Sequence, residues 1–205
     1  LIGLVGSEMC IRDRVMALSK IQAESMNLAD TFAFTGPVSG AGAILQSKYT
    51  QYTSTTSTAV NTQTDVSLDH LAVNITPSST SSIIRIDAMV NGEWSTYQSA
   101  SYNSVWFFYR DSTKLSTPVA GGRAVGIHMA TGISIESANT SSTPEHAMYS
   151  YFDTPSTTSQ ITYKVGVYQG TGSNITWYTN RTVGDADGYQ YERGTSFISV
   201  TEIAG

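Results

Sequence analysis

Short segments in which apolar and polar residues alternate dominate the chain from residue 44 onward. In residues 83–90 every second residue is apolar, while Arg85 and Asp87 lie between them. Successive side chains of a β-strand point to opposite faces, so this alternation predicts a half-buried strand. In residues 105–109 the same pattern places Val105, Phe107 and Tyr109 on the buried face. The segments of this kind are residues 44–49, 71–75, 83–90, 105–109, 125–129, 147–151, 161–167, 175–179 and 197–203.

Turn-forming residues separate these segments. Residues 76–79 and 153–156 each contain a proline, and residues 170–173 and 184–188 are rich in glycine. Proline fixes φ and glycine tolerates positive φ, so both favour turns. We therefore predict an all-β fold: an antiparallel β-sandwich or jelly roll of about 8–10 strands, with a short N-terminal helical or extended segment. The Thr/Ser run at residues 53–58 is expected to be an exposed edge or loop.

The N-terminal part of the chain differs from the rest. Residues 1–15 contain the one cysteine, Cys10, and the stretch GSEMCIRDR is similar to the translation of a sequencing adapter. We therefore expect the natural chain to begin at Met16 and leave residues 1–15 out of the fold argument. Residues 16–43 are predicted to be an attachment segment that ends in a Gly-rich linker, and residues 44–205 a β-sandwich head domain. Without Cys10 the chain has no thiol chemistry.

Composition narrows the classes of function. The chain has 205 residues, only 13% of them charged, and a formal net charge of -5. With no Lys/Arg cluster, this charge argues against capture of nucleic acid, and no apolar run approaches the ~20 residues of a membrane span. Sparse charges also leave few means of protecting strand edges, which favours association with further copies of the chain.

The polar residues select no catalytic or metal centre. His70, His128 and His146 lie on three different predicted segments, and no nucleophile or phosphate-loop motif occurs. Asp185 and Asp187 form a DADG run without the further ligands of a calcium loop, so we interpret it as an acidic turn. We therefore expect no enzyme activity, no metal and no cofactor. The carboxylate pairs that could be nominated for glycoside hydrolysis are Asp87 with Glu93 and Asp185 with Glu192.

Aromatic residues near predicted loops are the candidate ligand-binding residues. Trp94 and Tyr97 follow a strand, and Tyr189 and Tyr191 follow the acidic turn. Exposed Tyr and Trp side chains offer a large apolar face at low entropic cost, which suits recognition of sugars or proteins. Core packing is the competing interpretation for all four. It is the one that we adopt for Trp106, Phe107 and Trp177.

Several stretches resemble a known family. These are SKIQAESMNLADTFAFTGPVSGAG near the N-terminus, LDHLAVNITPSSTSSIIRIDAMVNG, FYRDST, FDTPSTTSQITYKVGVYQ and the C-terminal YTNRTVGDADGYQYERGTSFISVTEIAG. Together they resemble tail-fibre or virion appendage proteins of tailed bacteriophages. The resemblance implies a β-rich head, a homotrimer, contacts with other tail or baseplate proteins, and attachment to a host cell-surface glycan or protein. It implies neither nucleic-acid binding nor membrane insertion.

Two other functions remain open on the sequence alone. The chain could be a non-viral carbohydrate-binding or scaffold β-sandwich, which gene neighbourhood would distinguish from a virion protein. It could also be a tailspike-like polysaccharide depolymerase, which a reducing-end assay on a polysaccharide panel would reveal. The leading expectation is a virion structural protein, a tail-fibre or appendage head that mediates attachment to the host surface.

Overall fold

A computed structural model describes residues 40–95, 99–131 and 142–205. These residues form a β-sandwich of two antiparallel sheets, which confirms the predicted all-β class. No helix within them is long and apolar enough to span a bilayer. The elements are β1 (Ile44–Tyr52), β2 (Thr56–Val60), β3 (Val66–Ile75), β4 (Ile83–Trp94), α1 (Ser99–Tyr102), β5 (Ser104–Arg110), β6 (Thr113–Leu115), β7 (His128–Met129), β8 (Glu145–Asp153), β9 (Ile161–Gln169), β10 (Ile175–Thr179) and β11 (Ser196–Ile203).

The first sheet is organised around the long strand β4. One side of β4 pairs with β8 along most of its length. The other side pairs first with β11 and then, at Gly92–Trp94, with β10. Strands β10 and β11 therefore lie end to end along β4, and residues 180–195 leave the sheet between them. Strands β1 and β2 continue the sheet in the same way, beside β11 and β10 respectively.

The second sheet has the order β3-β9-β5-β6, and β7 also pairs with β5. Its inner face packs on that of the first sheet, and three tryptophans lie at one end of the core. The ring centroid of Trp177 is 5.1 Å from that of Trp94 and 5.1 Å from that of Trp106. All three rings are almost fully buried. The alternating stripes predicted for β3, β4 and β9 are buried as expected: Leu71, Val73, Ile75, Ile84, Ile86, Ala88, Val90, Ile161, Tyr163, Val165 and Val167.

The prediction for β5 is wrong about which face meets the core. Trp106 and Phe108 point into the central cluster, whereas Phe107 lies on the opposite face beneath Lys114. The Lys114 Nζ lies 4.1 Å from the centroid of the Phe107 ring. Both faces of β5 are buried, so its residues form a continuous apolar run, and alternation cannot identify the core face.

Other differences concern short elements. Strands β2 and β6 and the single turn α1 were not predicted, and the segment predicted at residues 125–129 forms only the two residues of β7. Strand β2 overlaps the Thr/Ser run that was expected to be an exposed edge or loop, and it is an edge strand: among the described residues it pairs with β10 alone. These elements have few apolar residues to mark them. The predicted segment and linker at residues 16–43 lie almost entirely outside the described residues, as do residues 1–15.

The buried Glu202 carboxylate joins three segments at one end of the first sheet by hydrogen bonds. Glu202 of β11 is fully buried and accepts hydrogen bonds from the Ser78 backbone N–H (2.7 Å), the Ser82 hydroxyl (2.6 Å) and the Gln46 amide (2.6 Å). The Ser78 hydroxyl donates a fourth bond, of 2.7 Å. Burial alone would raise the pKa of Glu202, but these donors outweigh it and lower the pKa to about 2. The ionised carboxylate therefore ties β1 and the β3–β4 turn to β11.

The Glu202→Gln variant tests this assignment. A folded-state pKa below the unfolded value means that Glu202 stabilises the fold above pH 4.5 and loses this effect as the pH falls towards about 2. We expect the variant to be destabilised by about 1–3 kcal/mol at pH 7. The NH₂ group of its amide would face the donors that now bind the Glu202 carboxylate, and it cannot accept hydrogen bonds from them. The difference from the unmodified protein should shrink between pH 5 and pH 2 in urea titrations. A difference that is independent of pH would contradict the assignment.

Candidate functional site

Residues 180–195 form a loop that Asn180 anchors at both of its ends. Asn180 has a φ of 61°, a left-handed conformation that asparagine tolerates better than most residues. Its amide donates to the backbone oxygens of Tyr52 and Ser54, at 2.7 and 2.8 Å, and its side-chain oxygen accepts from the Ser196 hydroxyl. The backbone oxygen of Asn180 accepts from the Gly194 N–H. The two ends of the loop are therefore fixed beside each other.

Charged residues close the base of the loop. Arg181 and Arg193 form an isolated β-bridge, and Asp185 lies between their guanidinium groups. The Asp185 carboxylate is 2.5 Å from Arg193 and 3.5 Å from Arg181. The Arg181 guanidinium also stacks over the Tyr178 ring, 4.2 Å from its centroid. Asp185 thus acts as a shared counter-ion, which agrees with an acidic turn.

Glu93 of β4 holds the loop in place by a hydrogen bond to its side-chain carboxylate. Its side chain is only 2% exposed and accepts hydrogen bonds from the backbone N–H groups of Thr143 (2.9 Å) and Val183 (2.6 Å). Burial raises the pKa of Glu93, an effect that the two N–H donors reduce and the nearby Glu192 carboxylate increases. A single side chain of the sheet therefore holds two surface segments, one of which carries the loop.

A pocket of about 240 Å³ opens at the base of this loop. Guanidinium, carboxylate and amide groups share its wall, and such groups can hydrogen-bond to a ligand rich in hydroxyls. The wall consists of Asn91, Gly92, Pro144, Glu145, Asn180, Arg181, Thr182, Glu192, Arg193 and Gly194. Most of the surface that lines the pocket is apolar, so these groups offer a few polar contacts within an apolar wall.

The four aromatic residues nominated from the sequence have different locations. Tyr189 is fully exposed and Tyr191 is half-buried, and both lie on the loop whose base lines the pocket. Trp94, by contrast, is 1% exposed and packs in the tryptophan cluster, so its nomination as a surface ligand-binding residue is corrected: it pairs with Trp177 across the strands. Tyr97 lies outside the described residues.

The nominated carboxylate pairs have structural partners. Asp87 accepts from Arg85 (2.9 Å) and from the Ser150 hydroxyl (2.6 Å), and Glu93 holds backbone N–H groups. Within residues 40–95, 99–131 and 142–205, no three His, Cys, Asp or Glu residues are grouped as a metal site. Two of the histidines that the sequence placed on separate segments do meet, because His128 and His146 line one cavity of about 230 Å³. Burial lowers the pKa of His128.

Sequence reasoning missed the residues that position the loop. Asn180, Arg181 and Arg193 were not nominated, although the two arginines bracket the acidic turn. That arrangement, with a basic residue on each side of an acidic, glycine-containing turn, is the one signal that could have indicated a closed loop. The role of Asn180 depends on partners in β1 and β11 and has no local signature.

Comparisons with known proteins do not assign the chain to a family. No protein-family model matches the chain, and no curated protein matches it significantly.

Proposed function

We propose that this protein is a structural protein of a tailed-phage virion, a tail-fibre or appendage head that attaches to a host-surface glycan or protein. The loop of residues 180–195 is the receptor-binding element in this proposal. The family resemblance in the sequence motivates the virion assignment. The observation that carries the binding role is the fully exposed ring of Tyr189 on a loop with fixed ends.

The way in which the loop is held supports this role. An exposed tyrosine ring offers a partner a large apolar face with a polar tip, and a preorganised loop lowers the entropic cost of binding. Tyr189 and Tyr191 lie on the loop whose base lines the pocket, and the arginines and carboxylates of that pocket can orient sugar hydroxyls. Several copies on one particle would let weak contacts of this kind add up to firm attachment.

The paired substitution Tyr189→Ala and Tyr191→Ala tests the binding role. Binding of the purified protein to an array of bacterial surface polysaccharides, and to whole bacterial cells, should fall about tenfold or more, because the loss of an aromatic anchor at an interface costs ~2 kcal/mol. The free energy of unfolding should change by no more than about 1 kcal/mol, since Tyr189 is fully exposed and Tyr191 is only half-buried.

Tyr49→Ala is the matched control, because Tyr49 is 74% exposed on β1 and distant in sequence from the loop. Binding should be unaffected by this change. Equal binding by the loop variant and the unmodified protein would contradict the assignment of the loop. Failure of the unmodified protein to bind any polysaccharide or any cell would contradict attachment itself.

The depolymerase alternative has a distinct signature. Incubation with the same polysaccharides should release no reducing ends, because Glu93 is committed to two backbone N–H groups and Asp185 to two arginines. Reducing ends that appear with the unmodified protein and disappear in Glu192→Gln would instead establish the enzyme.

A further inference from the structure

Among the described residues, strand β8 lies at an edge of the first sheet. It pairs with β4 on one side, and in the part of the chain that the structure describes residues 146–153 have no other backbone pairing. Strand β7 lies near β8, and the His128 ring stacks on that of Tyr149 with ring centroids 5.9 Å apart. An open edge presents a row of N–H and C=O groups that can pair with another strand.

The other described edges each have a feature that opposes such pairing. Strand β1 has a bulge between Ile44 and Gln46 and ends before the break that separates it from β2. Strand β3 has a bulge between Leu68 and Ala72. Strands β2, β6 and β7 have only five, three and two residues. Bulges and short lengths are the usual protection of edges, and nine-residue β8 has neither.

The side chains of β8 also lack protective charge. Its outer face carries His146, Met148, Ser150 and Phe152, with Met148 61% and Phe152 59% exposed. Its acidic residues, Glu145 and Asp153, stand at the two ends and are buried. An exposed apolar edge without lysine, arginine or proline is the type that associates with a strand of the same kind.

The pattern of β8 is self-complementary in an antiparallel register centred on Ser150. If two copies meet with Ser150 opposite Ser150, Met148 of each copy lies opposite Phe152 of the other, and no charge faces a like charge. A shift that centres the pairing on Tyr149 instead places Glu145 opposite Asp153, which is unfavourable for like charges. A slip of one residue between the paired strands would place the outer residues of one copy opposite inner residues of the other, because side chains alternate between the two faces.

We propose that two copies of this chain pair through antiparallel β8 edges, with Ser150 on the two-fold axis, so that the first sheets of both copies become one continuous sheet. The contact is smaller than the ~800 Å² per partner of a standard interface. Association should therefore depend on concentration in solution and be strengthened where copies are held close together. The pairing is independent of the proposed receptor binding and of any three-fold contact.

Disulfide trapping tests the register. In a Cys10→Ser background, Ser150→Cys should form a covalent dimer under mild oxidation, because directly opposed residues of antiparallel strands have Cα atoms about 4.5–5.5 Å apart, within disulfide range. Ser199→Cys is the matched control. Asp87 of β4 lies opposite Ser150 of β8 on one side and opposite Ser199 of β11 on the other, so both serines lie at the same level of the first sheet. This control should remain monomeric on a non-reducing gel.

A second variant tests the apolar pair without new chemistry. Met148→Lys changes an exposed side chain, so the fold should persist while sedimentation shows association weakened by roughly tenfold or more. A protein that stays monomeric at high concentration would overturn the proposal. So would a dimer or trimer in which Ser150→Cys gives no more cross-linking than Ser199→Cys, and neither result would affect the loop experiments.

Discussion

Gly166→Ala should destabilise the sandwich by about 3 kcal/mol, at the upper end of the range for overpacked sites. Gly166 of β9 lies directly opposite Phe107 of β5. A Cβ at this position would be 2.7 Å from Cδ2 and 2.8 Å from Cζ of the Phe107 ring. The ring cannot easily retreat, because Tyr109 packs against it with centroids 5.2 Å apart and Lys114 covers it. The strain must therefore pass into the backbone of two central strands.

Urea titration of Gly166→Ala and Gly172→Ala measures this effect. A Cβ at Gly172 would meet nothing within 4 Å, so this control should change the free energy of unfolding by no more than about 0.5 kcal/mol. Adding Phe107→Leu to Gly166→Ala should recover part of the lost stability, since a smaller side chain leaves room for the methyl group. Equal stability of the two alanine variants would contradict the packing described for β5 and β9.

Trp177→Ala should cost about 3–5 kcal/mol, the range for removal of a large buried aromatic side chain. The Trp177 ring lies between those of Trp94 and Trp106 and is fully buried. Its removal would leave a cavity that β10, a strand of five residues, has little means to close. Because the loop of residues 180–195 starts directly after β10, we also expect weaker receptor binding in this variant.

Trp177→Phe separates packing from hydrogen bonding. The indole N–H of Trp177 has no hydrogen-bond acceptor among the described residues, so phenylalanine removes an unsatisfied donor while it keeps a ring in place. We expect a loss of only about 1–2 kcal/mol for this variant. Thermal and urea unfolding of both variants provide the measurement. A phenylalanine variant as unstable as the alanine variant would show that the indole N–H has a partner.

The core-facing side could be predicted from the sequence for strands with one buried face, but not for strands with two. In β4 the charged residues Arg85 and Asp87 mark the outer face, so the alternation identifies the core side. In β5 the residues from Val105 to Phe108 are all buried. Lys114 lies over Phe107 on the outer face, so that face is covered as well as the core face. Only the tertiary structure decides which side of such a strand meets the other sheet.

The candidate site was predictable in part for a similar reason. Tyr189 and Tyr191 follow a glycine-rich turn, and local turn chemistry was sufficient to place them on a loop. Trp94 precedes polar residues, so the local sequence also suggested a loop position for it. Its burial depends on pairing with Trp177, a contact between residues far apart in the sequence. The brace formed by Glu93 likewise joins segments that are far apart in the sequence, so no local pattern indicates it.

Mass spectrometry of density-purified virus particles tests the attachment role most directly. Particles from a source that carries this gene should yield peptides from residues 40–205 that sediment with the capsid protein. Antibodies against the loop of residues 180–195 should then block adsorption of the particles to host cells. Peptides found only in the host-cell fraction, and never with particles, would contradict the virion assignment.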